Sequence, residues 1–351
     1  MAKTQKRILI VTEGRTINRP TEVSEQMVAH TRKVRPEVGA LIDIHYTGTP
    51  VADLTAYGVV LFRLADPPKA LFPDIYADAI EIADACAQAG VPILQHPDAL
   101  NNTQKSTQSE IWQAHGIRSA KSIAIPSRAA LDGVLKDLPY PCILRPDLGH
   151  GKDRTYVCQD EAALLSYADK VEFPAVALEY FDIKHTGSDA GPYGHYYHKK
   201  RSMVFGDIVM NSYVYFSDAR IIRRRTSLFT PHAKTSTRLL YHLGIGRAAF
   251  DSILQADLDY FHAPPEAPDL MTGAMRALGL EIAALDYSVG RDGEIVFWEA
   301  NPHFVLPSPA PLELLPKLRQ LDDRTTAIYD GFATWMATLA QQYCGGVRHQ
   351  T

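Results

Sequence analysis

The chain has little of what marks a secreted scaffold. Among 351 residues there are four cysteines, Cys86, Cys142, Cys158 and Cys344, far apart and without a CxxC pair. Neither a disulfide framework nor a thiol-rich zinc cluster is written in that spacing. No run approaches the roughly 18 consecutive apolar residues that a membrane-spanning helix needs. A dominant sign of charge is missing too. Lys and Arg number 36 against 40 Asp and Glu, a net charge of −4, which leaves no global positive field to neutralise a nucleic-acid backbone. Internal repeats and long low-complexity tracts are absent. The expectations are free thiols, a cytoplasmic setting, and neither a nucleic-acid nor a membrane partner.

What is present is a globular composition, 46% hydrophobic, in a length that fits two or three packed units at roughly 100 to 200 residues each. The first hundred residues alternate strand and helix signals. The short apolar run after Arg7 leads straight into Thr12-Glu13 and reads as a first strand, not a signal peptide. An amphipathic stretch follows Pro20-Thr21, and further strands are predicted at Ala40 to Tyr46, Val59 to Arg63 and Val91 to Leu94. Between Asp74 and Ala89, Ile75, Ala79, Ile82 and Cys86 recur at helical spacing, with Gly90 where a left-handed cap belongs. The alternation predicts an open, mostly parallel α/β domain over residues 1–100.

The polar segment Gln95 to Thr103 marks a boundary. Beyond it the pattern gives a helix from Gln104 to His115, a strand Ser122 to Ile125, a helix near Ser127 to Lys136 and a strand Cys142 to Arg145. A loop Pro146 to Asp153 and a strand Arg154 to Cys158 follow. These form a compact subdomain over 101–181. From Asp182 to about 345 antiparallel hairpins are predicted, interrupted by a polar helical insertion over 226–267.

The most informative stretch is Leu280 to Asn301. Two β-rich runs flank Asp292-Gly293, a dipeptide that favours a two-residue hairpin loop. With that loop Arg291 faces Glu294 and Asp286 faces Glu299, while Asn301 projects from the same side. Opposed side chains lie about 4.5 to 5.5 Å apart at Cβ, and like charges there are unfavourable unless something neutralises them. Two carboxylates and an amide oxygen suit a hard cation such as Mg²⁺; the alternative is that one carboxylate is protonated or faces solvent.

Arg201 to Arg225 contains turn signals at Gly206-Asp207 and Ser217-Asp218. Two-residue loops at both would make a meander in which Arg201 faces Ser212 and Ser212 faces Arg223, with Arg225 on the same side. Such a row suits phosphate or carboxylate, although a solvated charged face is the alternative. The loop Pro146 to Asp153 carries Gly149, Gly151 and Lys152, which would let backbone amides and a cation approach an anion. Lys105 stands at a helix start, where free amides favour negative charge.

In order, these pieces resemble the ATP-grasp superfamily over about Arg7 to Pro309. The carrying segments are Asn102 to Lys105 with Gly116-Ile117, Pro141 to Pro146, Ala177 to Phe181, Lys200 to Asp207, and Asp286 with Glu299 and Asn301. The chain looks most like the branch of ribosomal-protein glutamate ligases, glutathione synthetases and D-alanine ligases. The fold so implied is an N-terminal open α/β domain followed by two α+β subdomains that enclose ATP.

The resemblance implies roles. Lys105 and Arg145 would contact ATP phosphates under the loop Gly149 to Lys152. Glu179, Tyr180 and Phe181 would form the hinge receiving adenine, with Asp182 toward ribose. Arg201 would face the γ-phosphate or an acyl phosphate, and Arg223 would serve an acidic substrate. Asp286, Glu299 and Asn301 would hold Mg²⁺, with Mn²⁺ as an alternative. The implied activity is an ADP-forming carboxylate-amine ligase working on small-molecule or peptide carboxylates and amines, and this branch often assembles as homo-oligomers. A phosphotransferase and a non-catalytic nucleotide binder are the competing readings. Arg145 stands where the family usually has Lys, which alters geometry while keeping charge, and the insertion has no counterpart.

Overall fold

The computed structural model describes residues 5–14, 19–149, 154–184, 191–222, 226–228, 243–306 and 320–345. Twelve strands in that range form three four-stranded sheets. The first contains β1 (Arg7–Thr12), β2 (Ile42–Tyr46), β3 (Tyr57–Phe62) and β4 (Ile93–Leu94), all parallel, in the order β2-β1-β3-β4. Ile8 to Val11 and Val59 to Phe62 are each at most 1% exposed. Such runs, apolar on both faces, are what a sheet covered on both sides requires.

The helix Pro73–Gln88 covers one face through Ile75, Ala79 and Ile82. The helices Arg19–Val34 and Gln320–Tyr343 cover the other, where Met27, Val28, Phe332 and Met336 meet Ile8, Ile10, Val59 and Leu61.

The second sheet is antiparallel, ordered β5-β8-β6-β7 from β5 (Ser122–Ile125), β6 (Cys142–Pro146), β7 (Tyr156–Cys158) and β8 (Ala175–Glu179). It has its own small core, including Ile125, Leu131, Leu144, Leu164 and Ala177. The third, also antiparallel, is ordered β10-β9-β11-β12 from β9 (Tyr197–Phe205), β10 (Ile208–Ser217), β11 (Ile282–Val289) and β12 (Ile295–Asn301). Its apolar residues join the cores of the first sheet: Val204 and Leu285 with Leu9 and Phe62, Phe205 and Ile282 with Ile8 and Leu61.

Several local expectations are corrected. Ser127 to Lys136 is two short 3₁₀ turns, Arg128–Gly133 and Leu135–Asp137, the first capped by Ser127, whose hydroxyl accepts from Ala130 N at 3.2 Å. A helix Glu161–Ala168, capped by Asp160, appears where no element was expected. Its eight residues are too few to show a strong period. In the insertion, the helix Arg247–His262 packs against β10, and Gly279 at φ +70° ends the next helix, Pro268–Leu278. Of the expected third strand of the meander, the described residues 218–222 are bends and coil, and Arg223 to Arg225 lie outside the described residues.

Candidate active site

A cleft open to solvent lies between the second and third sheets. Its apolar part is lined by Ile143, Leu178, Ile183, Ile221, Ile222 and Trp298. Tyr180 and Phe181 line it too, while Arg145, Lys199, Arg220 and Glu299 bring charge to it. Phe181 packs edge-on against Trp298 with ring centroids 6.0 Å apart.

The two hairpins of the third sheet set the charged wall. Between β11 and β12, Val289 pairs with Ile295 and Gly290 lies opposite Glu294, so the loop is Arg291 to Gly293 and not the two-residue loop expected. Gly290 N donates to Glu294 O at 2.8 Å and Gly293 N to Gly290 O at 3.1 Å, with Gly293 at φ +81°. This is the three-residue loop that needs glycine in the left-handed position. Arg291 therefore does not face Glu294; its guanidinium donates to Asp182 Oδ2 at 2.6 Å.

The longer loop would have paired Asp286 with Trp298. A bulge at Trp298 restores the partnership of Asp286 with Glu299 and that of Ala284 with Asn301. The extra residue also re-aims a side chain: both Trp298 and Glu299 line the cleft. The indole is held by Nε1 donating to Ser288 Oγ at 2.8 Å.

Across the sheet Asp286 pairs with Arg201 of β9. Arg201 donates through Nε to Asp286 Oδ1 at 2.5 Å and through an Nη to Oδ2 at 2.9 Å, and Lys199 Nζ donates to Oδ2 at 2.8 Å. Asp286 is only 1% exposed. Burial pushes its carboxyl up, but the Arg201 and Lys199 charges outweigh that and hold it below the ordinary aspartate value. The opposed carboxylates of Asp286 and Glu299 are thus balanced by cations. Lys105 Nζ lies 3.6 Å from Glu299 Oε1 and donates to Gly149 O at 2.7 Å. Burial, with the positive charge of Arg145 next, lowers Lys105 below the usual lysine value.

Other expectations shift in position. The start of the helix Lys105–Ala114 is not open to an anion, because Asp147 fills it: Ser106 N donates to Oδ1 at 2.8 Å and Ser106 Oγ to Oδ2 at 2.6 Å. Glu179 stands at the end of β8, its carboxylate accepting from Lys121 N at 3.3 Å, outside the cleft lining. Asp182 is likewise outside it, paired with Arg291. Arg201 faces Tyr213 and not Ser212, because Ser212 bulges out of β10. Gly151, Lys152 and Arg223 lie outside the described residues.

Sequence reasoning missed Lys199, Trp298 and the apolar lining. Lys199 could have been found from strand alternation, two residues before Arg201 and so on its face. Trp298 could not, since its place depends on the bulge.

No protein-family model matches the chain, and no curated protein sequence matches it. Solved structures do. The ATP-grasp ligase PsnB complexed with a minimal precursor superimposes with a TM-score of 0.52 at 14% identity, over 94% of this chain and 99% of that one. PsnB with a phosphomimetic precursor variant, Mg and ADP gives 0.51 at 13%, over 94% and 98%. The D-cycloserine synthetase DcsG gives 0.51 at 13%, over 94% and 99%. The chain has the ATP-grasp fold.

A magnesium ion is implied by that fold, and the residues fit one. Glu299 and Asn301 alternate along β12 and so share a face. The Asn301 side chain is nearly buried, so its amide oxygen is held on that face; its amide nitrogen, a donor and not a metal ligand, has no hydrogen-bond partner. Among the described residues no three His, Cys, Asp or Glu side chains gather as a metal cluster. A hard cation would find oxygen donors on Glu299 and Asn301, while both oxygens of Asp286 already accept from Arg201 and Lys199.

Proposed function

We propose that the chain is an ATP-dependent, ADP-forming carboxylate-amine ligase. One observation carries the reading: at the charged wall of an apolar cleft, in an ATP-grasp fold, Asp286 and Glu299 face each other among four cations. Lys105, Arg145, Lys199 and Arg201, with Arg220 at the cleft, outnumber Asp286, Glu299 and the nearby Asp147, a positive balance suited to a polyphosphate. The apolar lining around Trp298 takes the adenine, with Tyr180 and Phe181 at its edge. Glu299 and Asn301, with Asp286, hold Mg²⁺, which neutralises phosphate charge when bound.

The chemistry follows from placement. Lys105 and Arg145 bind the phosphates, and Arg201 takes the charge that develops on the γ-phosphoryl oxygens. A substrate carboxylate oxygen attacks the γ-phosphorus, the bond to ADP breaks, and an acyl phosphate results. An amine then adds at the acyl carbon, phosphate leaves, and the amine proton goes to solvent. No nucleophilic side chain is required. The precursor peptide in the PsnB complexes supports a peptide substrate, and DcsG a small one. Residues 1–100, 101–181 and 182–345 are the proposed units, with 226–267 shaping the acceptor side.

Hydroxylamine trapping tests the reading. A hydroxamate formed only with MgATP and the donor carboxylate is the expected outcome. ADP release without hydroxamate, and with a phosphorylated hydroxyl product, would replace the ligase by a phosphotransferase.

A further inference from the structure

The bulge at Ser212 decides which side chains stand beside Arg201. From the turn, β9 and β10 pair regularly from Phe205 with Ile208 to Ser202 with Asn211. Continued unchanged, that register would place Ser212, Val214 and Phe216 on the Arg201 face and turn Tyr213 and Tyr215 into the core, because a one-residue shift exchanges the faces of a strand. The bulge prevents this. Tyr213 pairs with Arg201 and Tyr215 with Lys199, while Val214 and Phe216 are buried at 3% and 0%. The two tyrosine rings are 4.3 Å apart. The Arg201 guanidinium lies 5.3 Å over Tyr213 and Lys199 Nζ 5.7 Å over Tyr215, each within cation–π range. The two cations that hold Asp286 thus rest on a tyrosine shelf that exists only because of the extra residue.

A bulge disrupts the ladder locally, and buried backbone groups there need partners from elsewhere. Here two residues outside the sheet supply them. Asp257, on the helix Arg247–His262, accepts from Val214 N through Oδ1 at 2.7 Å. Arg324, on the helix Gln320–Tyr343, donates from Nη1 to Asp257 Oδ2 at 2.7 Å and to the carbonyl of Ser212 at 3.3 Å. Both residues are buried, at 9% and 4%, and neither lines the cleft or touches Asp286.

We infer that Arg324 and Asp257 are positioning residues, which clamp the Ser212 bulge and thereby set the tyrosine shelf that aims Arg201 and Lys199. The inference rests on the proposed role of Arg201 at the γ-phosphate. Their separation from the cleft gives the clamp a signature: loss of it weakens what Arg201 touches and spares the adenine end.

The test compares wild type with Arg324→Met, Arg324→Lys and Asp257→Asn, using Leu164→Ala in the separate second-sheet core as a control for general destabilisation. Binding of MgADP and of the MgATP analogue AMPPNP is measured, with hydrogen exchange of the peptide 209–216. Arg324→Met is expected to reduce the preference for AMPPNP over ADP about tenfold, the scale of one charge-assisted hydrogen bond, with ADP affinity nearly unchanged and exchange near Val214 accelerated. Arg324→Lys should recover most of the preference, and Leu164→Ala should leave it intact. If Arg324→Met does not fold, Asp257→Asn carries the same expectation. A folded clamp variant that keeps the wild-type preference overturns the inference and makes the pair merely structural. Unchanged exchange near Val214 in every folded clamp variant refutes the clamp itself. If the wild type does not prefer AMPPNP over ADP, the reading of Arg201 fails first and the positioning role falls with it.

Discussion

The two walls of the cleft are built on different foundations. The wall from the third sheet carries Lys199, Trp298 and Glu299, with Asp286, the partner of Lys199 and Arg201, behind it, and its far side merges into the cores of the parallel sheet and the helix Gln320–Tyr343. The wall from the second sheet carries Arg145, Tyr180 and Phe181 on a small core of its own. Charge is set on the deeply anchored side, where a cross-strand carboxylate pair and its cations must keep their register. The lightly anchored side adds Arg145, Tyr180 and Phe181 and shares the apolar lining with Trp298 of β12. The difference assigns chemistry to one wall and enclosure to the other.

The largest effects should follow from breaking the charged wall. Arg201→Met removes both guanidinium contacts to Asp286 and leaves a buried carboxylate with Lys199 alone. Turnover should fall on the order of 10² to 10³-fold, as for loss of a preorganised charge donor, with a smaller change in ADP affinity by calorimetry. Next comes the apolar lining, to which the third sheet contributes Trp298. Trp298→Ala should weaken ADP and AMPPNP equally, by about tenfold, since an aromatic platform for a base contributes about 1–3 kcal/mol; unequal weakening would assign Trp298 to the phosphate end.

The foundations can be compared directly. Leu164→Ala and Phe332→Ala should each cost about 3 kcal/mol by cavity formation. Hydrogen exchange in the first should quicken mainly in residues 122–179, and in the second across the parallel and third sheets together. The finest test uses the thiols. All four cysteines are buried, so alkylation reports opening and not the raised thiols of Cys86 and Cys142 in the closed fold. In low urea Cys142 and Cys158 should be labelled before Cys86 and Cys344, and the reverse order would contradict a separately opening second sheet.

The contrast between walls also explains what was legible in the sequence. The parallel sheet announced itself because both faces are apolar and helices separate its strands. The facing of Asp286 and Glu299 was expected, but by an assumption that fails at the turn: the loop is one residue longer, and the bulge at Trp298 cancels the error. In the companion hairpin the two-residue loop at Gly206-Asp207 is as expected, yet the bulge at Ser212 displaces the partner of Arg201. Bulges are settled by packing and by partners such as Asp257 and Arg324, more than forty residues away in sequence, which no local pattern reports. The same distance hid Asp147, which caps a helix that looked open to phosphate.

The most direct measurement is ADP release from MgATP across pools of amino acids and short peptides, comparing wild type with the near-isosteric Glu299→Gln. The account predicts release that depends on a carboxylate-bearing pool and falls at least about 10²-fold in the variant, with the fold retained by circular dichroism. Release that persists at the wild-type rate in Glu299→Gln, or a wild type that neither turns over nor binds MgATP, would contradict it.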